Sequence, residues 1–115
     1  MCGIIVYFKA PLNKEKFRLV HRGPDNQSIE TLGECTMEFT RLSINDTSYN
    51  GNQPFMKNNQ MLVCNGEIYN HLDFVTSTRI SNSDCECLFE LFNNGNIIEN
   101  LNKIRGVFAS AWTDG

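Results

Sequence analysis

The sequence predicts a single mixed α+β domain, and three observations carry that prediction. The chain has 115 residues, which is the length of one domain. Hydrophobic residues make up 41% and charged residues 20% of the chain, which excludes a disordered tail and a fibrous repeat. Short runs of β-branched and aromatic residues indicate strands, whereas one segment after residue 83 has the spacing of a helix.

Strands dominate the first part of the chain. Residues 3–8 form a continuous apolar run that is typical of a buried strand. Residues 29–32 and 36–43 are expected to be two strands joined by Gly33-Glu34, with Met37 and Phe39 alternating with polar neighbours.

The segments around these strands are expected to be a helix and loops. Residues 12–20 fit a short amphipathic helix. The Gly-Pro pair in 21–25 indicates a polar loop, and 45–60 is rich enough in Asn, Gly and Ser to predict a long loop. A further short strand is expected over 61–64.

The last third is expected to hold two helices and a strand. Ser83 and Glu86 fit a capping box that begins a helix, and Asn94-Gly95 ends it. A second short helix is expected over 97–103 and a final strand over 107–112. The chain then reads Thr113-Asp114-Gly115, a turn signal without a returning strand, so we expect an open strand edge, an exposed Trp112 and self-association through that edge.

Charge and composition narrow the classes of partner. The formal net charge of −3 predicts no nucleic-acid partner and no attraction to an anionic membrane surface. No apolar run reaches the ~20 residues that a membrane-spanning helix needs. Five cysteines without a secretory signal indicate free thiols in a reducing, cytoplasmic compartment, and their spacing does not favour a metal site.

Cys2 is the most distinctive residue for chemistry. Removal of Met1 would place a thiol and a free α-amino group on the same residue. An α-amino group has a pKa of about 7.7–8.0, so it can accept the thiol proton near neutral pH. The alternative is that Cys2 is an ordinary small hydrophobic residue at the start of a strand.

Five other residues complete a candidate site for an amino acid with a side-chain amide. Asn65 and Gly66 would stabilise an oxyanion, although Asn-Gly is also a common hairpin turn. Arg41 would bind a carboxylate, and Glu67 and Asp84 an ammonium group, although each is also an ordinary surface or helix-start residue.

At these positions the sequence resembles the glutaminase domain of class II glutamine amidotransferases, in the branch of glutamine-hydrolysing asparagine synthetases. The resemblance covers residues 1 to about 111. Seven motifs carry it, in chain order: MCGI at 1–4, HRGPD at 21–25, RLSI at 41–44, GNQP at 51–54, NGEIYN at 65–70, SDCE at 83–86 and GVFA at 106–109.

The resemblance implies the fold of N-terminal-nucleophile hydrolases, an αββα sandwich of two antiparallel sheets between helical layers. It assigns Cys2 as the nucleophile and its α-amino group as the base. It places the side chain of Asn65 and the backbone of Gly66 in the oxyanion hole. Binding of L-glutamine would use Arg41 for the α-carboxylate, Glu67 and Asp84 for the α-amino group, and the backbone of Leu42, Ser43, Ile44 and Asn45.

In the resembled family, ammonia passes to a synthetase domain that uses ATP and magnesium. This sequence ends within the family's glutaminase domain and lacks the Ser-Gly-Gly pyrophosphate loop, so we expect an incomplete sandwich, no synthetase domain and no cofactor in this chain. Asparagine synthesis would then need a synthetase chain from elsewhere. The alternatives are a non-catalytic glutamine-binding or regulatory fragment, or half of a split enzyme that a partner chain completes.

Overall fold

Two three-stranded antiparallel sheets face each other, and helices cover the outer side of the second sheet. This arrangement is seen in a computed structural model that describes residues 1–9, 18–44 and 46–115. The described part is therefore a mixed α+β structure with two sheets, as the sequence predicts. Most of the helix predicted over 12–20, which would form the second helical layer of the sandwich, lies outside the described residues.

The first sheet consists of β1 (Gly3–Phe8), β2 (Asn26–Leu32) and β3 (Cys35–Arg41), with β3 in the centre. The three strands predicted here are present, although β2 begins earlier and β3 ends earlier than expected. The predicted alternation on β3 is confirmed, since Met37 and Phe39 pack between the sheets while Thr40 faces the other side, although every residue of this central strand is buried. Leu19 lies against the outer face, where the Thr40 hydroxyl donates to its carbonyl at 2.9 Å.

The second sheet consists of β4 (Phe55–Lys57), β5 (Gln60–Ile68) and β6 (Gly106–Thr113), with β5 in the centre. The prediction of a loop over 45–60 is wrong for Phe55–Lys57, which form β4. Asn58 and Asn59 have φ angles of 51° and 58°, the left-handed pair that a two-residue hairpin turn requires. This pair brings β4 back against β5.

The strand β5 is twice as long as the run over 61–64 predicts, and it passes straight through Asn65 and Gly66. The turn interpretation of Asn-Gly is therefore wrong. Gly66 lies opposite Phe108 of β6 and has a φ of 147°. A Cβ atom at this position would overlap the carbonyl oxygen of Val107, so only glycine lets the two strands pair here.

Short helices follow β5. A 3₁₀ helix, Asp84–Cys87, leads into α1 (Leu88–Asn93), and α2 is Ile97–Leu101. The prediction of a capping box is wrong, because the Ser83 side chain makes no cap hydrogen bond. The Glu86 side chain instead accepts hydrogen bonds from the preceding loop, at Ile80 and Ser81. The predicted end of the first helix is confirmed by Gly95, which has a φ of 69°. The remaining 3₁₀ helices are Val20–Arg22, Tyr49–Gly51 and His71–Phe74.

The hydrophobic core divides according to the two faces of β5. Met61 and Val63 point between the sheets, where they pack with Met37 and Phe39. Leu62, Cys64 and Ile68 join the second cluster, which contains the residues of the helical layer: Cys85, Cys87, Leu88, Phe89 and Leu91. Because both faces of β5 are buried over Met61–Cys64, the register of the strand is strongly specified there.

The strand β6 pairs with β5 from Gly106 to Thr113. Among the described residues, β6 is an edge strand of its sheet. The expectation that Trp112 lies open is wrong. Its ring packs 5.7 Å from that of Phe92, and its Nε1 donates to Gln60 at 3.4 Å. The predicted turn is also absent, since Thr113 belongs to β6 and 114–115 have no regular structure. Within the described ranges, no helix is both long and apolar enough to cross a membrane.

The replacement Gly66→Ala tests how strictly β5 depends on glycine. We expect the free energy of unfolding to fall by about 2–4 kcal/mol, from a strained φ and from overlap with the backbone of β6. The measurement is urea unfolding followed by tryptophan fluorescence. Gly95→Ala is the matched control, because its φ is also positive but its Cβ would meet nothing within 4 Å, and it should lose about 1 kcal/mol. Equal losses in the two variants would contradict the pairing argument.

Candidate active site

A cavity of about 280 Å³ lies where the start of β1, the end of β3 and the second half of β5 converge on the 3₁₀ helix Asp84–Cys87. The predicted site residues that line it are Cys2, Arg41, Leu42, Ile44, Asn65, Gly66, Glu67 and Asp84. Ser43 is not among the lining residues. Its backbone N–H instead donates to the Asp25 carboxylate at 2.8 Å. Asn45 lies outside the described residues.

Cys2 is held by the end of β3. The register of β1 against β3 sets Gly3 opposite Thr40, which brings Cys2 beside Leu42. The backbone N–H of Leu42 donates to the Cys2 sulfur at 3.3 Å, and the thiol donates to the Leu42 carbonyl at 3.5 Å. The thiol is half-buried at the cavity wall, so a molecule in the cavity can reach it.

Asn65 and Gly66 reach the cavity from a rigid strand. Both lie within β5 and pair with Ala109 and Phe108 of β6. Neither residue sits on a flexible loop, so the Asn65 amide and the Gly66 backbone have little freedom to rearrange. Donors that are fixed in place in this way suit the stabilisation of a developing negative charge.

The Arg41 side chain is buried and is oriented by the loop that follows β3. One of its terminal nitrogens, Nη1, donates to the Ser48 carbonyl at 2.7 Å and to Asn52 Oδ1 at 2.6 Å. Gly51 packs against the other terminal nitrogen so closely that a Cβ there would overlap it. The guanidinium is thereby confined to one position at the cavity wall.

Asp46 is a cavity-lining residue that the sequence analysis missed. Its carboxylate accepts hydrogen bonds from the backbone N–H of Ser48 at 2.8 Å and from the Ser48 hydroxyl at 2.5 Å. The Ser48 hydroxyl bond, followed by the backbone N–H of Asn82, lowers the pKa of Asp46, so it is ionised at neutral pH. The spacing of Asp46 and Ser48 is typical of an Asx turn and is the signal that indicates this role.

Asp84 and Glu67 bring two further carboxylates to the lining of the cavity that contains Arg41. Asp84 is buried, and its Oδ2 accepts the backbone N–H of Ile68 at 2.6 Å, which ties the 3₁₀ helix to the end of β5. Glu67 is exposed and lies on β5 directly after Gly66. A cavity with a cation on one side and carboxylates on another suits a zwitterionic amino acid.

The loop before Asp84 is held by Glu86. The carboxylate of Glu86 is buried and accepts the backbone N–H of Ile80 at 2.6 Å, the N–H of Ser81 at 2.7 Å and the Ser81 hydroxyl at 2.5 Å. Three donors on one buried carboxylate fix the course of residues 80–83. This is why Glu86 is unavailable for the capping box that the sequence predicts.

Two more cysteines, Cys64 and Cys85, also line the cavity, and both are buried. A hydrogen bond with the Cys64 thiol, together with burial, raises the pKa of Cys85. Burial also raises the pKa of Cys87 to about 12. Among the described residues, no group of three or more His, Cys, Asp or Glu side chains is arranged to hold a metal ion.

Comparison with known proteins gives one consistent result. A profile of the glutamine amidotransferase domain matches residues 1–115. The chain is 42% identical over 109 residues to a probable glutamine-hydrolysing asparagine synthetase of Acanthamoeba polyphaga mimivirus, covering 81% of this chain and 20% of that protein. It is 31% identical to the human glutamine-hydrolysing asparagine synthetase, covering 99% of this chain and 23% of that protein. The chain therefore spans less than a quarter of either relative.

The difference in exposure and pKa among the thiols predicts a selective pattern of alkylation. With iodoacetamide at pH 8, we expect Cys2 of the folded chain to react first, because it is half-buried whereas the other four cysteines are buried. Cys85 and Cys87 should react only after unfolding, because a raised pKa leaves little thiolate at that pH. Peptide mass spectrometry of folded and urea-unfolded samples measures this, and equal labelling of Cys87 in both samples would contradict it.

Proposed function

This chain belongs to the glutamine amidotransferase domain family, and we propose that it hydrolyses L-glutamine to glutamate and ammonia with Cys2 as the nucleophile. One observation carries the proposal. A single cavity brings together the Cys2 thiol, a strand-borne amide, a buried cation and the carboxylates of Glu67 and Asp84, which match the reacting and charged groups of glutamine. These residues come from the residue before β1, from β3, from β5 and from the 3₁₀ helix, so no local structure requires them to meet.

In the proposed complex, Arg41 binds the α-carboxylate of glutamine, and Glu67 and Asp84 bind its α-ammonium group. The loop bonds to Ser48 and Asn52 support this role, because they hold the guanidinium ready for a planar carboxylate. The backbone of Leu42 and Ile44, which line the cavity, would border the same position. With the α-carbon fixed in this way, the side-chain amide extends toward the wall that carries Cys2 and Asn65.

The proposed chemistry begins when Met1 has been removed. The freed α-amino group of Cys2 takes the thiol proton, and the sulfur attacks the carboxamide carbon of glutamine. The Asn65 amide and the Gly66 N–H stabilise the resulting oxyanion. The carbon–nitrogen bond then breaks, ammonia leaves with the proton, and a thioester remains. Water hydrolyses the thioester, which yields glutamate and restores the thiol.

We propose that the ammonia is used by a synthetase domain outside the residues of this chain. The two compared relatives are named as asparagine synthetases, which supports an acceptor of that kind. Hydrolysis itself needs no cofactor, and ATP and magnesium would belong to the synthetase step. The five free thiols support a reducing, cytoplasmic setting.

Ammonia release from L-glutamine tests the proposal directly. We expect the chain without Met1 to release glutamate and ammonia in equal amounts, and Cys2→Ala to lose this activity because no nucleophile remains. Intact mass establishes the state of the N-terminus in the same sample. A chain that retains Met1 and still hydrolyses glutamine would contradict the role of the α-amino group.

The matched control for this experiment is Cys35→Ala. Cys35 is a buried cysteine of the first sheet that does not line the cavity. Its replacement should lower stability while activity per folded molecule persists. An equal loss of activity per folded molecule in both variants would show that the loss in Cys2→Ala is not specific to the proposed nucleophile.

A further inference from the structure

We propose that Asp46 is a positioning residue that couples the carboxylate-binding side of the cavity to its ammonium-binding side. The inference rests on the proposed function, since it assigns Asp46 a part in binding the two charged groups of the amino acid. The carboxylate is buried, with 7% of its surface exposed, and it hydrogen-bonds to two loops that are far apart in sequence.

The first connection leads to Arg41. Asp46 Oδ1 accepts the backbone N–H of Ser48 at 2.8 Å and its hydroxyl at 2.5 Å. These bonds fold residues 46–48 into a turn and fix the direction of the Ser48 carbonyl. That carbonyl is the acceptor for Arg41 Nη1 at 2.7 Å. Asp46 therefore determines the orientation of the guanidinium through Ser48.

The second connection leads to Asp84. The other carboxylate oxygen of Asp46, Oδ2, accepts the backbone N–H of Asn82 at 2.8 Å, a bond that spans 36 residues of sequence. Asn82 is two residues before Asp84, whose carboxylate lines the ammonium side of the cavity. One side chain thus bonds to the loop that orients the proposed cation and to the loop that leads into the proposed anion.

The chemistry of these bonds requires a carboxylate. All three partners of Asp46 are hydrogen-bond donors, and its two oxygens accept from both sides. An amide has only one acceptor oxygen, so Asp46→Asn must direct an NH₂ group at a backbone N–H on one side. We expect the loops to separate, and Arg41 to lose its alignment with the α-carboxylate while Cys2 and Asn65 stay in place.

The test is a double-mutant cycle for glutamine binding, made in the Cys2→Ala chain so that no turnover occurs. Isothermal titration measures the dissociation constant of L-glutamine with and without Asp46→Asn, in the presence of Arg41 and in Arg41→Ala. We expect Asp46→Asn to weaken binding about tenfold when Arg41 is present and only about threefold when it is absent, because the connection through Asn82 to Asp84 remains while the coupling to Arg41 is lost.

Three further measurements separate positioning from stability. In the chain that retains Cys2, Asp46→Asn should raise KM for glutamine and leave kcat within about twofold, since the reacting atoms are untouched. Ser48→Ala removes one bond of the turn at an exposed residue and should shift KM in the same direction by a smaller factor. Asp73→Asn, at an exposed aspartate that does not line the cavity, is the control and should change neither constant.

Defined outcomes overturn the inference. Unchanged glutamine affinity in Asp46→Asn would do so, and so would an equal loss with and without Arg41, which indicates general destabilisation. If the chain that retains Cys2 does not hydrolyse glutamine, but the binding cycle still shows coupling between Asp46 and Arg41, the proposed chemistry is overturned and the inference stands. Absence of any glutamine binding would overturn both.

Discussion

The whole arrangement depends on β5 passing without interruption through Asn65 and Gly66. Because Gly66 has no side chain, the backbones of β5 and β6 stay paired at the point where a Cβ would separate them. The strand can then bury one face between the sheets and the other under the helices. The same nine residues supply the centre of the core and one wall of the cavity, so packing and chemistry share a single element.

The other walls of the cavity are loops, and they are held in a different way. Asp46 and Glu86 are both buried carboxylates, and both bind backbone N–H groups of loops next to the site. Charge-assisted hydrogen bonds to a carboxylate are stronger than neutral ones, and they fix direction as well as distance. A rigid strand therefore lies beside the proposed scissile bond. The loops next to the proposed charged groups are held by hydrogen bonds to buried carboxylates.

Local signals in the sequence predict much of this fold. The apolar run of β1, the turn between β2 and β3, and Gly95 after α1 are recognisable because each depends on near neighbours. The predictions are wrong where the structure of a segment depends on a partner that is distant in the sequence. Residues 55–57 become a strand only against β5, and Glu86 leaves its cap position for Ile80 and Ser81.

The candidate site likewise contains residues that the sequence identifies and one that only the folded structure reveals. Family resemblance selects Cys2 and Arg41. The structure places both on one cavity, although 38 residues lie between them in the sequence. Resemblance does not select Asp46, because its bond to Asn82 exists only when the two loops are folded together. Ser43 was selected by resemblance, but its N–H binds Asp25 outside the cavity wall.

We propose that Asn65 acts in the chemical step while Arg41 and the carboxylates hold the charged groups of the amino acid, and the kinetics of Asn65→Ala test this division of roles. The measurement is kcat and KM for L-glutamine hydrolysis by this variant and by the unmodified chain. The account predicts that kcat falls by about 10²–10³-fold, as for loss of an oxyanion donor, with KM changed only a few-fold. An unchanged kcat with a large rise in KM would show that Asn65 binds the amino acid and would contradict the account.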